Sequence, residues 1–128
     1  MNLLLDTHAF LWMDAHPSRL SPTASALIAD PANHVSVSVA SLWEVQIKSM
    51  LGKLTLRMSL SQIVAEQQQR NAVIICVVRD EHVYELDQLP PIHHDPFDRL
   101  IAAVGRVEAA TLLSGDRVFR QYRVTVEG

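Results

Sequence analysis

At 128 residues and 14.3 kDa, with 48 % hydrophobic residues, the chain is sized for one domain over residues 1–128, with a core that needs no disulfide or structural metal. Its net charge of −3 runs against the basic balance usual for proteins that hold nucleic acid through a broad cationic face. No apolar run is long enough to span a bilayer, the opening Leu3-Leu4-Leu5-Asp6 is too short for a signal peptide, and the single cysteine, Cys76, excludes a disulfide scaffold. A reducing, cytoplasmic setting is expected, with Cys76 a small buried hydrophobe inside Val73–Val78.

The first predicted strand is Asn2–Leu5. A short helix is expected over His8–Asp14, broken by Pro17, and a second over Pro22–Ala29. Val35, Val37 and Val39 alternate with serines as a second strand. Ser38 or Ser41 then caps a helix whose Leu42, Val45, Ile47, Met50 and Leu51 recur at helical spacing until Gly52 ends it. Leu60–Arg70 reads as another amphipathic helix, Val73–Val78 as a third strand, and Glu81–Leu89 as a short helix. Pro90-Pro91 forces a loop through His93 and His94. Asp95-Pro96 then caps and starts a helix running to about Val107. Strands at Thr111–Leu113 and Val124–Val126 flank a turn or short helix near Asp116. This alternation predicts an α/β fold: a three-layer α/β/α sandwich around a mostly parallel five-stranded sheet, without repeats or low-complexity linkers.

In an open parallel sheet the active crevice lies beyond the carboxyl ends of the strands. Asp6 follows the first strand, Glu44 stands in the first turns of the helix after the second, Asp98 begins the helix after the double proline, and Asp116 follows the fourth strand. Each has a purely structural reading: Asp6 as a cap, Ser41-Leu42-Trp43-Glu44 as a capping box, Asp98 as a helix-dipole acid, and Asp116 as a turn residue. Together they describe a crowd of carboxylates that would repel unless they shared a cation. Oxygen donors without cysteine or histidine at zinc spacing favour Mg²⁺ or Mn²⁺, and the matching chemistry is phosphodiester hydrolysis by a water activated at the metal. On that reading the acidic excess belongs to the metal site, and bound cations restore the positive charge a phosphate needs.

Leu3-Leu4-Leu5-Asp6-Thr7-His8-Ala9-Phe10-Leu11-Trp12 resembles the opening of PIN domains in VapC-type toxins. Asp95-Pro96-Phe97-Asp98-Arg99-Leu100-Ile101-Ala102-Ala103 is similar to the characteristic motif of one PIN subgroup, and Leu112-Leu113-Ser114-Gly115-Asp116-Arg117-Val118-Phe119 to its last acidic motif. The resemblance covers nearly the whole chain. It implies a toxin–antitoxin endoribonuclease that uses Mg²⁺ or Mn²⁺, cuts single-stranded or loop RNA and leaves a 5′-phosphate. By the same resemblance Asp6, Glu44, Asp98 and Asp116 are the catalytic, metal-binding acids, and Thr7 and Ser114 are supporting hydroxyls. Ser114 departs from the family's usual threonine and keeps only its hydroxyl. The resemblance further implies a homodimer and a cognate antitoxin whose C-terminal segment blocks the site, often with a basic side chain.

Lys48, Arg99, Arg117 and His93 are candidate substrate contacts, each with a bland surface alternative such as a Lys48–Glu44 helix pair. His8 is a further candidate for the crevice. Trp12 and Trp43 read as core or dimer-interface residues, although an apolar groove for an antitoxin helix uses the same residue types. Two other α/β classes fit poorly. A phosphorylatable receiver domain needs an acid pair after the first strand and a C-terminal lysine, and a haloacid-dehalogenase-like phosphatase needs a second aspartate at position 8. The remaining alternative is a module of the same fold that binds RNA or protein without cutting.

Overall fold

The structure is a computed structural model, which describes residues 1–91, 95–122 and 124–128. Strand β1 is Asn2–Leu5, β2 His34–Ser38, β3 Ile74–Cys76, β4 Thr111–Leu113 and β5 Val126–Glu127. They form one sheet in the order β3-β2-β1-β4-β5, and all four pairings are parallel. Helices α1 (Thr7–Ala15), α2 (Pro22–Ala29), α3 (Val39–Met50), α4 (Leu60–Asn71), α5 (Asp80–Glu85) and α6 (Pro96–Val107) make the connections.

Alternation along β1 explains the three layers. Leu3 and Leu5 face Phe10 and Met13 of α1 and Ile63 and Val64 of α4. Leu4 faces the other way, against Ile101–Val104 of α6 and the ring residues Phe119 and Tyr122. All of β1 beyond Asn2 is buried, so it reads as an unbroken apolar run, as a central parallel strand must. The α/β/α sandwich expected from the sequence is the fold observed.

Boundaries moved where tertiary context overrode a local pattern. Val39, expected in the second strand, starts α3 instead, because the Ser38 hydroxyl accepts the amide of Ala40 and caps the helix there. Ser41 is therefore not a cap, and the expected Ser41–Glu44 capping box does not form. The apolar run Val73–Val78 shortens to a three-residue strand on the sheet edge, where only β2 offers ladder bonds. Cys76 at its end is half-buried rather than buried. The helix expected over Glu81–Leu89 is α5 followed by a 3-10 turn at Leu86–Gln88, and β5 begins two residues later than the expected Val124. The segment after Asp116 is a 3-10 helix, Arg117–Tyr122. Gly52 ends α3 with φ +74°, as its position after the last apolar residue implied. None of the helices described is long and apolar enough to cross a membrane.

Candidate metal centre

The chain leaves β1 toward β2 and β3 on one side and later returns to place β4 and β5 on the other, so the strand order reverses between β1 and β4. The crevice beyond the carboxyl ends of those two strands is where an open α/β sheet presents a ligand site. Asp6 stands at the end of β1, and Ser114-Gly115-Asp116 follows β4.

Asp6 does two jobs with its two oxygens. Oδ1 accepts the amide of Ala9 at 2.7 Å and so caps α1, which is the structural role its position suggested. Oδ2 accepts the Ser114 hydroxyl at 2.5 Å, tying the ends of β1 and β4 together. The same Ser114 oxygen accepts the amide of Asp116 at 3.0 Å, so one small hydroxyl orients two acids. Burial holds the Asp6 carboxyl above its usual range, against the opposing pull of the Ser114 and Ala9 hydrogen bonds and of His8, with the Asp116 charge adding to the rise.

Glu44, on α3, is buried at 4 % exposure. Its Oε1 accepts the Thr7 hydroxyl at 2.6 Å and its Oε2 takes Lys48 Nζ at 2.9 Å. A buried glutamate held by a hydroxyl from the residue after Asp6 is not a capping glutamate, and that decides between the two readings of its position. Asp98 is the third residue of α6, whose cap Asp95 accepts the amides of Phe97 and Asp98. Burial, then the charges of Asp95, Glu44, Asp116 and Asp6, push the Asp98 carboxyl up to about 7. The acids from four separate stretches of sequence therefore share one neighbourhood, with Thr7 and Ser114 buried between them.

The donor set fits a hard divalent cation. Every candidate ligand is an oxygen, and burial first, with the charges of the neighbouring acids adding to it, raises the Asp98 carboxyl to about 7, so a cation there would relieve the crowding. A second group of ligand-type side chains, Cys76, His82 and Glu108, lies elsewhere, with ligand atoms within 4.8 Å of one another. It does not fit a metal. The His82 Nδ1 accepts the backbone amide of Arg79 at 2.9 Å, which leaves the proton on Nε2, pointing at Glu108 Oε1 at 2.8 Å. The Arg79 guanidinium, 2.7 Å from that same oxygen, supplies the positive charge there.

Of the candidate substrate contacts, Lys48 lies at the acids, whereas the Arg99 guanidinium donates to the carbonyls of Pro90 and Leu86 and lies 5.8 Å from the Tyr122 ring centre. Arg99 is thus engaged with the backbone of Leu86 and Pro90. Arg117 is exposed at the start of the 3-10 helix, and His93 and His94 lie outside the described residues. His8, exposed on α1, acts on Asp6 through its charge and stacks near Trp12, the ring centres 5.9 Å apart. Asp95, read from the sequence as the structural member of its motif, also contributes to the field on Asp98; a cap three residues before a candidate ligand was the available signal.

A family model, PIN domain, matches residues 3–124. The chain belongs to the PIN domain family. This PIN domain superposes on the crystal structure of VapBC2 from Rickettsia felis bound to a DNA fragment from their promoter, with TM-score 0.75 and 18 % identity over 99 % of this chain and 98 % of that one. It is likewise similar to VapBC-1 from nontypeable Haemophilus influenzae, with TM-score 0.70 and 17 % identity over 99 % and 97 %. The third, FitAcB from Neisseria gonorrhoeae, gives TM-score 0.61 and 18 % identity over 98 % and 96 %. At such identities the likeness is one of fold. Comparison with curated proteins finds no match.

Proposed function

We propose that this PIN domain is a metal-dependent endoribonuclease, the VapC-type toxin of a toxin–antitoxin pair, acting in the cytoplasm as one domain over residues 1–128. The observation that carries the reading is the gathering of Asp6, Glu44, Asp98 and Asp116 around the paired hydroxyls of Thr7 and Ser114 at the switch point of the sheet. Mg²⁺ or Mn²⁺ held there would supply Lewis-acid activation of water and neutralise charge on the phosphodiester. Asp6, Glu44, Asp98 and Asp116 would hold it. Thr7 fixes Glu44, Ser114 fixes Asp6, and the Val118 amide donates to Oδ1 of Asp116, so these three carboxylates are oriented before any ligand arrives. A water at the metal needs no protein nucleophile, and the products would carry a 5′-phosphate.

The partners follow from two surfaces. Val39, Trp43 and Met50 recur on one side of α3 and are exposed, Trp43 at 59 %, although the sequence pattern admitted a core role for it. Such a stripe on a helix suits a homodimer. A cavity of about 260 Å³ lined by His8, Leu11, Trp12, Leu54 and Leu56 opens beside α1. It suits the apolar side of an antitoxin segment whose basic residue would reach the acids. The similar structures, VapBC2, VapBC-1 and FitAcB, support an antitoxin partner.

The test is expression of the chain alone beside Asp98→Asn, followed by mapping of 5′-phosphate ends in total RNA. Arrested growth with new ends only for the wild type is expected, and purified Asp6→Asn and Asp98→Asn should keep the fold and lose cleavage. Activity retained in both variants would sink the site. A soluble wild type that neither arrests growth nor cuts would favour the same-fold module that binds without cleaving.

A further inference from the structure

Lys48 is 40 % exposed, yet its ammonium sits 2.9 Å from Oε2 of a glutamate that is itself buried. The other oxygen of that glutamate is taken by Thr7. Asp95, the cap of α6, and Asp98, in its first turn, also act on Lys48 through their charges, so the ammonium stands between the two helices that carry half of the acids. The cation therefore occupies charge space that a divalent ion at Glu44 would need. Arg99 cannot exchange in the same way, because its guanidinium is committed to two backbone carbonyls. The lysine side chain has four rotatable carbons, a single contact with Glu44 to give up, and solvent on its other side.

We propose that Lys48 is a built-in counter-ion: it neutralises Glu44 until a divalent cation binds, and the cation then displaces it toward the crevice, where it binds a non-bridging oxygen of the substrate phosphate. This deepens the metal-centre reading and rests on it. Repulsion between ammonium and metal drives the exchange, since both are drawn to one carboxylate whose other oxygen is held by Thr7. An ammonium released beside the metal meets a phosphate as a strongly hydrated point charge, the form in which lysine commonly binds phosphate. The consequence is an order of events, in which metal binding creates the cationic contact that RNA requires. A plain helix pair at this spacing would stabilise α3 slightly and do nothing else.

Calorimetric titration of Mn²⁺ into the metal-free wild type, Lys48→Met and Lys48→Arg separates these cases. Lys48→Met is expected to bind Mn²⁺ about threefold or more tighter than the wild type, and Lys48→Arg to resemble the wild type, because only the charge competes. With Ca²⁺ in place of Mn²⁺, Lys48→Met should bind a single-stranded oligoribonucleotide about fivefold or more weakly. Unchanged or weaker Mn²⁺ binding by Lys48→Met overturns the counter-ion role, and unchanged oligonucleotide binding overturns the phosphate contact. A wild type that takes up no Mn²⁺ removes the metal centre itself, and the proposal with it, and is distinguishable because the variants need not be compared.

Discussion

The Ser114 hydroxyl donates to Oδ2 of Asp6 at 2.5 Å across a sequence separation of 108 residues. The bond joins the two strands between which the sheet reverses, and through its acceptance of the Asp116 amide it also sets the second acid of that edge. Removing the hydroxyl leaves Asp6 buried with one donor fewer, so its carboxyl holds a proton more firmly and ligates less well. Ser114→Ala is expected to weaken Mn²⁺ binding and cleavage by about tenfold or more, as loss of an orienting partner does at metal sites. Ser114→Thr keeps the hydroxyl and should stay close to the wild type. Equal metal affinity in Ser114→Ala and the wild type would show that the bond is structural only.

Asp98 provides a pH signature in the absence of metal. Its folded carboxyl titrates near 7 against an ordinary value of 3.8, so between those values the folded chain holds a proton that the unfolded chain has released. Stability contributed by the protonated acid is therefore lost as pH rises through that window. Chemical denaturation in EDTA should show the wild type falling relative to Asp98→Asn by about 1 kcal/mol between pH 4.5 and 7.5, allowing for solvent screening. Saturating Mn²⁺ at pH 8 should restore the wild type and not the variant. Parallel curves for the two proteins would contradict a carboxyl raised by burial and by the acids around Asp98.

Trp43 touches Phe97 edge to face, the ring centres 5.1 Å apart, and otherwise stands in solvent beside two of the site acids. An aromatic so placed on an apolar stripe anchors a protein contact. Light scattering should find the wild type dimeric and Trp43→Glu monomeric, with the melting temperature of the variant no longer dependent on concentration. A monomeric wild type at tens of micromolar would refute the homodimer.

Ala72 caps α4 with φ +52°, a left-handed conformation that costs a residue with a Cβ about 1–2 kcal/mol. It is exposed and its amide bonds to the Gln67 carbonyl, so glycine can take its place without loss of contact. Ala72→Gly is expected to stabilise the domain by about 0.5–1 kcal/mol, a rise of a few degrees in Tm, with cleavage unchanged. A lower melting temperature would mean that the cap is not strained.

The alternation of apolar runs and helical spacings was enough to predict the α/β sandwich, because each element here buries a face whose period its own residues define. Caps were legible for the same reason of locality: Asp95-Pro96 and Gly52 act on backbone groups within one turn. Asp6, Glu44, Asp98 and Asp116 could be picked out because strand ends in a parallel sheet share an edge, but each also had an ordinary structural reading, and for Asp6 as a cap, Asp98 as a first-turn acid and Asp116 as a turn residue that reading is true as well.

What only the tertiary structure decided were the partners that connect distant stretches. The Thr7–Glu44 and Ser114–Asp6 bonds, the Arg99 guanidinium drawn to the Pro90 and Leu86 carbonyls, and the Trp43 ring left in solvent depend on how α1, α3 and α6 meet over the sheet. The early stop of β3 follows from its partner β2, whose last residue, Ser38, pairs with Cys76 before α3 begins, which no six-residue apolar run records. Periodicity reports which face of an element is buried. It carries no information about which buried face meets which, and a carboxylate acquires its chemistry from that meeting.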